Sequence, residues 1–288
     1  MAELPLCIIT DEFSQDFELV CRTARELGIP ALEVRTIWNK NIVDMSDDEL
    51  AEVNRQARAA QLQIVSIASP VFKCTLPEGG NIDHRFEHDA FQSAHTIDDQ
   101  PRILKRSLEI AGKLGASLVR VFSFWRTVDP ARNTGRVIEA LRQAVEIARP
   151  YGTKIGLENE HACHIATAAE SAPVLSQIDD PILGLVWDAA NAYVAGEVPY
   201  PDGYRSLPAD RIVHIHAKDG VIPPGSDRVN WKEVGVGAVD WKGQLAALVA
   251  DGYKGMISLE THWGGPEGNK FEGSKICARN LKRLVAEA

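Results

Sequence analysis

Short runs of β-branched and apolar residues alternate with amphipathic segments along the whole chain, eight times over. Strands that alternate with helices pair in parallel and are joined by right-handed crossovers. Eight such units favour a sheet that closes on itself over an open sheet. We therefore predict an α/β protein with the architecture of a (β/α)8 TIM barrel. The predicted strands are 5–9, 31–35, 62–68, 117–122, 153–158, 182–187, 211–216 and 255–260.

Helix ends are also visible in the sequence. Gly28, Gly115 and Gly252 each follow a helical pattern and come shortly before a predicted strand. A left-handed backbone conformation at a helix end favours glycine, so we expect positive φ angles at these three positions. The clearest helical segments are 16–27, 47–60, 101–114 and 134–149, and the weakest helix is expected around 200–208.

The chain is 288 residues long. An α/β barrel typically takes about 250 residues, so one barrel accounts for the chain. No repeat, linker or low-complexity tract divides it, and we predict a single domain over 1–288. The long loops at 69–100 and 217–239 follow the third and seventh strands. Because barrel enzymes build their sites on this C-terminal side of the strands, we expect the active site there.

The composition of the chain argues against several kinds of binding partner and cellular location. The formal net charge is −9, which gives no basic surface for nucleic acid. No run approaches 18 apolar residues, and the N-terminal residues lack the pattern of a signal peptide, so neither a membrane span nor export is expected. The five cysteines are scattered and form no CxxC pair, which is typical of reduced thiols. The sequence therefore predicts a cytoplasmic protein.

Polar residues stand at the ends of four consecutive strands, at Glu158, Asp188, His216 and Glu260. In a barrel these positions converge on one mouth. Three carboxylates pressed together repel one another unless a cation lies between them. Two Glu, one Asp and one His suit one divalent ion such as Mn²⁺, Mg²⁺, Co²⁺ or Zn²⁺. We predict a metal site, although each residue taken alone is more typical of a helix cap, a salt bridge or a core histidine.

The same stretches resemble a known family. The motifs "LE", "WDAAN", "HAKD" and "LET" at strands five to eight are similar to those of the xylose-isomerase-like TIM barrels. That family comprises sugar and sugar-phosphate isomerases and epimerases, inosose dehydratases and the endonuclease IV group, so the resemblance implies an enzyme of carbohydrate metabolism. Resemblance to the ketose 3-epimerase branch implies metal ligands at Glu158, Asp188, His216 and Glu260. It also implies that Glu158 and Glu260 are the catalytic acid/base pair.

Two positions depart from the pattern of that branch. Asn191 stands where the branch has a histidine that contacts substrate. The arginine that the branch carries shortly after its seventh-strand histidine has no match, since Val221 and Ile222 occupy that stretch. The resemblance therefore leaves the identity of the substrate open.

The residue types define the chemistry that such a site performs. A metal ion bound to a carbonyl and a neighbouring hydroxyl acidifies the C–H bond between them by stabilising an enediolate. One glutamate removes the proton. Return of the proton to the opposite face of the same carbon gives epimerisation, and return of the proton to the adjacent carbon gives isomerisation. Protonation of a departing hydroxyl instead gives a dehydratase, a lyase of the inosose or dehydroshikimate type.

Further side chains are candidates for contact with a small polyhydroxylated substrate, whether a sugar, a sugar phosphate or a cyclitol. Their common feature is a position at or just beyond a strand end. Each has a structural alternative, such as a salt bridge, a surface position or packing between helices. These substrate-binding candidates are Asn191, His161, Lys218, Arg126, Glu33 and Trp263.

Two pairings and one supporting residue are expected around these candidates. Glu33 and Arg35 lie two apart on one strand and are expected to meet as an internal ion pair or to contact substrate. Lys218 is expected either to hold an anionic group or to pair with Asp219. His214 faces the same way as His216 and is expected to be a core histidine or a group that supports a ligand from behind.

Two other functional classes fit the sequence less well. An endonuclease IV-like repair enzyme needs extra histidine ligands at strands three and four, where this chain has "SIASP" and "VRVFSFW". A non-catalytic sugar-binding barrel would not need both Glu158 and Glu260. Homo-oligomers are common on this architecture, but the sequence identifies no interface.

Overall fold

The computed structural model of the protein describes residues 4–86 and 95–288. Within these residues, eight parallel strands close into a barrel in which each strand pairs with its neighbours in the chain and the last pairs with the first. The predicted (β/α)8 TIM barrel is thus confirmed, and every predicted strand boundary lies within one residue of the observed one. The strands are β1 (Leu6–Ile9), β2 (Ala31–Val34), β3 (Gln63–Ala68), β4 (Leu118–Val121), β5 (Lys154–Glu158), β6 (Leu183–Asp188), β7 (Ile212–Ala217) and β8 (Met256–Leu259).

Helices cover the outside of the barrel between successive strands. The four segments with the clearest helical period are helices with boundaries within one residue of those predicted. Residues 87–94 of the predicted loop 69–100 lie outside the described residues. The helices are α1 (Phe17–Glu26), α2 (Asp47–Ala59), α3 (Gln100–Leu114), α4 (Thr134–Ala148), α5 (Ala168–Gln177), α6 (Ala189–Val194), α7 (Trp241–Ala250) and α8 (Lys270–Glu287).

The weak helix expected around 200–208 is present as short helical turns, but a further helix that was not predicted comes before it. The helix that follows β6 is α6, because the Asp188 side chain accepts a hydrogen bond from the Asn191 backbone N–H and starts a helix directly at the strand end. Residues 200–208 contain only short helical turns, including Tyr204–Ser206.

The predicted glycine positions are confirmed. Gly28, Gly115 and Gly252 have φ angles of 64°, 77° and 69°. Gly115 ends α3 in the left-handed conformation, and its N–H donates to the Ala111 carbonyl. Because a side chain disfavours this conformation, glycine allows each helix to end sharply and the chain to turn into the next strand.

Two antiparallel hairpins extend the C-terminal face of the barrel. One joins Thr36–Ile37 to Lys40–Asn41 after β2, and the other joins Asp219–Val221 to Asn230–Lys232 after β7. No helix in the part of the chain that the structure describes has the length and apolar character that a membrane crossing requires.

Asp219 holds the loop after β7 in place. Its buried carboxylate accepts hydrogen bonds from the backbone N–H groups of Gly220, Gly235, Gly237 and Val239 at 2.9–3.1 Å. A Cβ atom at Gly237 would lie 2.1 Å from Asp219 Oδ1, so only glycine permits this approach. The loop is therefore fixed to the barrel at the strand end.

Replacing Asp219 with Ala should lower the free energy of unfolding by about 3 kcal/mol, because it leaves buried N–H groups without their acceptor. Asp219→Asn should cost less, since one acceptor oxygen remains. Urea denaturation followed by circular dichroism measures both changes. The exposed Asp48→Asn serves as the control, and equal stability of Asp219→Ala and wild type would contradict this role of the carboxylate.

Candidate metal centre

The four predicted metal ligands come together at the C-terminal mouth of the barrel. One ligand atom from each of Glu158, Asp188, His216 and Glu260 lies within 4.8 Å of every other, and all four residues are buried. Asp188 is paired in register with His216, and Glu158 ends the neighbouring strand. Parallel strands that end at the same level thus place four polar side chains in one small volume.

Asp188 provides a test of whether this quartet fits a metal ion. Its Oδ1 caps α6, whereas Oδ2 is buried and, among residues 4–86 and 95–288, forms an ion pair with Lys218 Nζ at 2.8 Å. Burial raises the pKa of this carboxyl above its ordinary value. A buried carboxylate oxygen is costly unless a cation approaches it, and in this structure the Lys218 ammonium is that cation. The donor set, one imidazole nitrogen and carboxylate oxygens within 4.8 Å of one another, suits a divalent ion, and on this ground the residues fit the predicted metal.

Lys218 contributes a positive charge to the quartet. Its Nζ lies 2.8 Å from Asp188 Oδ2 and 2.7 Å from Glu260 Oε2, with the side chain almost fully buried. Burial opposes the charged form, but the surrounding carboxylates hold the pKa of Lys218 well above its ordinary value. Of the two alternatives predicted for Lys218, the structure shows the first, an ammonium that holds anionic groups. The Asp219 carboxylate is instead engaged by backbone N–H groups of the following loop.

A hydrogen-bonded layer lies directly beneath the quartet. Glu33 Oε2 contacts His216 Nε2 at 3.1 Å and His214 Nε2 at 3.0 Å, and it accepts a hydrogen bond from the Ser258 hydroxyl. Burial acts to raise the pKa of Glu33, but the two histidines hold it well below its usual range. Glu33 thus orients the ring of His216 from behind, as partners of metal-ligating histidines do. His214 is a buried group of this layer.

The expected pairing of Arg35 is corrected. Arg35 Nη1 donates to Glu260 Oε1 at 2.7 Å, and the same guanidinium forms ion pairs with Asp11 and Glu12. The Glu33 carboxylate instead contacts the imidazoles of His214 and His216. Barrel closure pairs β1 with β8 on one side and with β2 on the other, which brings these groups together.

Glu158 is held from several sides. Its Oε2 pairs with Arg120 of β4, while its Oε1 lies 3.2 Å from His216 Nδ1 and accepts from Asn191 Nδ2 at 3.3 Å. Asn191 Oδ1 lies 2.7 Å from His161 Nδ1. Asn191 and His161, both predicted substrate contacts, are therefore adjacent to the quartet.

Two other predicted substrate contacts have different surroundings. Arg126 pairs with Glu170 at 2.8 Å and donates to the carbonyls of Cys163 and His164, which ties the loop after β5 to the start of α5. Trp263 is partly buried and packs against the apolar core. Their contacts with substrate stay predictions.

Three residues near the mouth of the barrel were not among the site residues predicted from the sequence. Trp231, in the hairpin after β7, has its ring 5.7 Å from Lys218 Nζ. Glu160 Oε1 lies 2.8 Å from His161 Nδ1, and Glu160 also faces the buried Lys73 Nζ at 3.5 Å. The signal for Glu160 was its place two residues after Glu158 in "LENEH", whereas nothing in the sequence around Lys73 or Trp231 points to the mouth.

Known proteins that are similar to this chain have the same barrel architecture. The family described as Xylose isomerase-like TIM barrel matches residues 21–283. A crystal structure of the IolI protein with a bound zinc atom has a TM-score of 0.76 to this chain, at 20% sequence identity and with 99% of each chain covered. At this identity the likeness shows the fold alone.

Two curated relatives are dehydratases. Inosose dehydratase from Lactiplantibacillus plantarum is 29% identical over 168 residues, which cover 52% of this chain and 54% of that protein. 3-Dehydroshikimate dehydratase from Pseudomonas putida is 29% identical over 163 residues, which cover 54% of this chain and 25% of that protein. This chain therefore covers about half, or less, of the length of these relatives. The family match over 21–283 and the closed barrel lead to one conclusion: the chain belongs to the xylose isomerase-like TIM barrel family.

Proposed function

We propose that the protein is a divalent-metal-dependent isomerase or epimerase of a small sugar, sugar phosphate or related polyhydroxylated ketone. The observation that carries this proposal is the placement of Glu158 and Glu260 at the two ends of the quartet, both flanking His216 Nδ1, at 3.2 and 3.6 Å. Two carboxylates on either side of one bound carbon are what removal and return of a proton require. A bound divalent ion would supply Lewis-acid stabilisation of the enediolate.

The chain's own residues divide the remaining tasks. Glu158, Asp188, His216 and Glu260 would hold the ion. One of the two glutamates takes the proton from the carbon next to the carbonyl, and the other returns it to the opposite face or the neighbouring carbon. Glu33 keeps the His216 ring oriented.

Polar groups beside the quartet are suited to substrate hydroxyls. Asn191 and His161 line one side, and Lys218 provides a cation that an oxyanion of the substrate can approach. Trp231 lies beside Lys218 and would exclude water from that side of the substrate. We propose these residues, together with Glu33, Arg126 and Trp263, as the substrate-binding set.

A second candidate function is dehydration of an inosose- or dehydroshikimate-type substrate. The observation that favours it is the 29% identity to two dehydratases over about half of this chain. The same first step, proton removal by a glutamate, would be followed by protonation of a departing hydroxyl rather than of carbon. The two functions therefore share the site and differ in the fate of the enediolate.

Proton exchange with solvent tests both candidates. The protein is loaded with Mn²⁺, Mg²⁺, Co²⁺ or Zn²⁺ and incubated in D₂O with ketohexoses, ketose phosphates or an inosose, and ¹H NMR follows the proton next to the carbonyl. Exchange with formation of an epimer or isomer supports the first function, and formation of a conjugated enone supports the second. Absence of exchange with every substrate and metal would overturn both.

We also propose that residues 1–288 act as one catalytic domain in a reducing, cytoplasmic compartment. The five cysteines are buried thiols, which supports this location. The net charge of −9 supports a small-molecule partner rather than nucleic acid. Size-exclusion chromatography with light scattering would establish whether a homo-oligomer forms.

A further inference from the structure

A second group of possible ligand atoms adjoins the quartet. Glu12, Glu260 and His262 place one donor atom each within 4.8 Å of one another, so Glu260 belongs to both groups. Glu12 is fully buried, and an anion there needs a positive charge nearby.

The guanidinium of Arg35 occupies this position. It pairs with Glu12 through Nη2, with Glu260 Oε1 through Nη1 at 2.7 Å, and with Asp11 through Nε at 3.0–3.1 Å. Lys270 Nζ lies 3.0 Å from the other Glu12 oxygen. Since the chain's own cations already join these carboxylates, a second divalent ion here would meet an arginine rather than open oxygens.

The two carboxylate oxygens of Glu260 have different partners because Arg35 binds only one of them. Oε1 is held by Arg35, while Oε2 is turned to the quartet, 2.7 Å from Lys218 Nζ and 3.6 Å from His216 Nδ1. The planar guanidinium is itself fixed by three carboxylates. Rotation of the Glu260 carboxylate would break its bond to Arg35, so a single oxygen remains available to the quartet.

Glu158 has the same arrangement on the opposite side. Its Oε2 pairs with Arg120, and its Oε1 faces His216 Nδ1 at 3.2 Å. Arg120 is fixed in turn by a hydrogen bond to the Ser69 carbonyl at 3.2 Å and by the Phe122 ring, 4.0 Å from the guanidinium carbon. Two buried arginines, one at the end of β2 and one in β4, thus each hold one glutamate by one oxygen.

We propose that Arg35 and Arg120 are positioning residues that fix Glu260 and Glu158 with one oxygen each directed to the metal and the substrate. The catalytic part of this proposal rests on the proposed function, whereas the part that concerns metal binding does not. Arginine suits this role better than lysine, because its planar fork fixes the orientation of a carboxylate as well as its charge. Loss of groups that orient metal ligands typically weakens metal affinity or activity by roughly 10- to 100-fold.

The test compares Arg35→Met and Arg35→Lys with wild type, and Arg120→Met and Arg120→Lys in the same way. Titration calorimetry of the metal-free protein with Mn²⁺ or Zn²⁺ measures the metal Kd, which should rise roughly 10- to 100-fold in the Met variants. The Lys variants, which keep the charge but not the fork, should bind the metal more tightly than the Met variants and still more weakly than wild type. Arg211→Met is the matched control, since Arg211 is a largely buried arginine that donates to carbonyls at the opposite end of the barrel.

Kinetics separate positioning from substrate binding. With saturating metal, kcat in the Arg35 variants should fall roughly 10- to 100-fold with KM nearly unchanged, and added guanidinium ion should restore part of the rate of Arg35→Met. Wild-type metal affinity in folded Arg35→Met and Arg120→Met, or in the Lys variants if the Met variants do not fold, would overturn the proposal. A wild-type protein that binds metal but exchanges no substrate proton would overturn the proposed function, while the calorimetry still decides the role of the arginines.

Discussion

Replacing Glu158 with Gln is expected to lower kcat by roughly 10²- to 10⁴-fold, the contribution typical of a positioned general acid or base. The amide keeps the size of the side chain but does not carry the transferred proton as a carboxylate does. It also loses the charge that pairs with Arg120 and faces His216. Glu260→Gln should have an effect of the same order, because the two glutamates flank the same reacting carbon in the proposed function.

Solvent-proton exchange and product formation, each measured at saturating metal, are the readouts. The exposed Glu139→Gln on α4 is the control for an equivalent loss of charge outside the site. In an epimerase, one of the two variants should still exchange the proton on one face of the substrate while it forms no epimer. Full turnover by both variants would rule out the two-glutamate mechanism, and a pure binding protein would have no turnover to lose.

Replacing His216 with Ala is expected to remove the bound metal. The imidazole is the predicted nitrogen ligand of the quartet and is fully buried among the three carboxylates. The loss of affinity should exceed the roughly 100-fold that follows loss of a group supporting a ligand. Elemental analysis should give about one equivalent of divalent ion per wild-type chain and clearly less in the variant, by the one-ion prediction from the donor set.

The exposed His84→Ala should retain the wild-type metal content and controls for general effects of losing a histidine. Circular dichroism establishes that His216→Ala is folded. If neither wild type nor variant binds Mn²⁺, Co²⁺, Mg²⁺ or Zn²⁺ after incubation, the quartet is not a metal site, and the carboxylates must then be interpreted as a pocket for a cationic or polyhydroxylated ligand.

The sequence predicted the barrel because its signal is local. β-Branched runs, amphipathic periods and glycines at helix ends each depend on residues a few positions apart. The strands were therefore located to within one residue, and the positive φ at Gly28, Gly115 and Gly252 was anticipated. The helix directly after β6 was missed because Asp188 is both the last residue of the strand and the cap of the helix, so no break in the sequence separates the two elements.

The quartet was predictable for a related reason. In a parallel barrel all strand ends of one polarity meet at one mouth, so equivalent positions in the sequence become neighbours in space. Glu158, Asp188, His216 and Glu260 could therefore be grouped without knowledge of any distance between them. Their gathering within 4.8 Å agrees with that expectation, while their roles as ligands stay a prediction.

The partners of these residues were decided by the tertiary structure alone. Lys218 bridges Asp188 and Glu260 rather than its neighbour Asp219, and Arg35 reaches Glu260 across the closing strands β1 and β8. Long charged side chains pair with whatever the closed barrel brings near, and closure joins residues from the two ends of the chain. The sequence thus determined the barrel and the set of residues at its mouth. Closure of the barrel decided which cation holds each carboxylate, because those contacts are fixed by distances in space that no spacing in the sequence encodes.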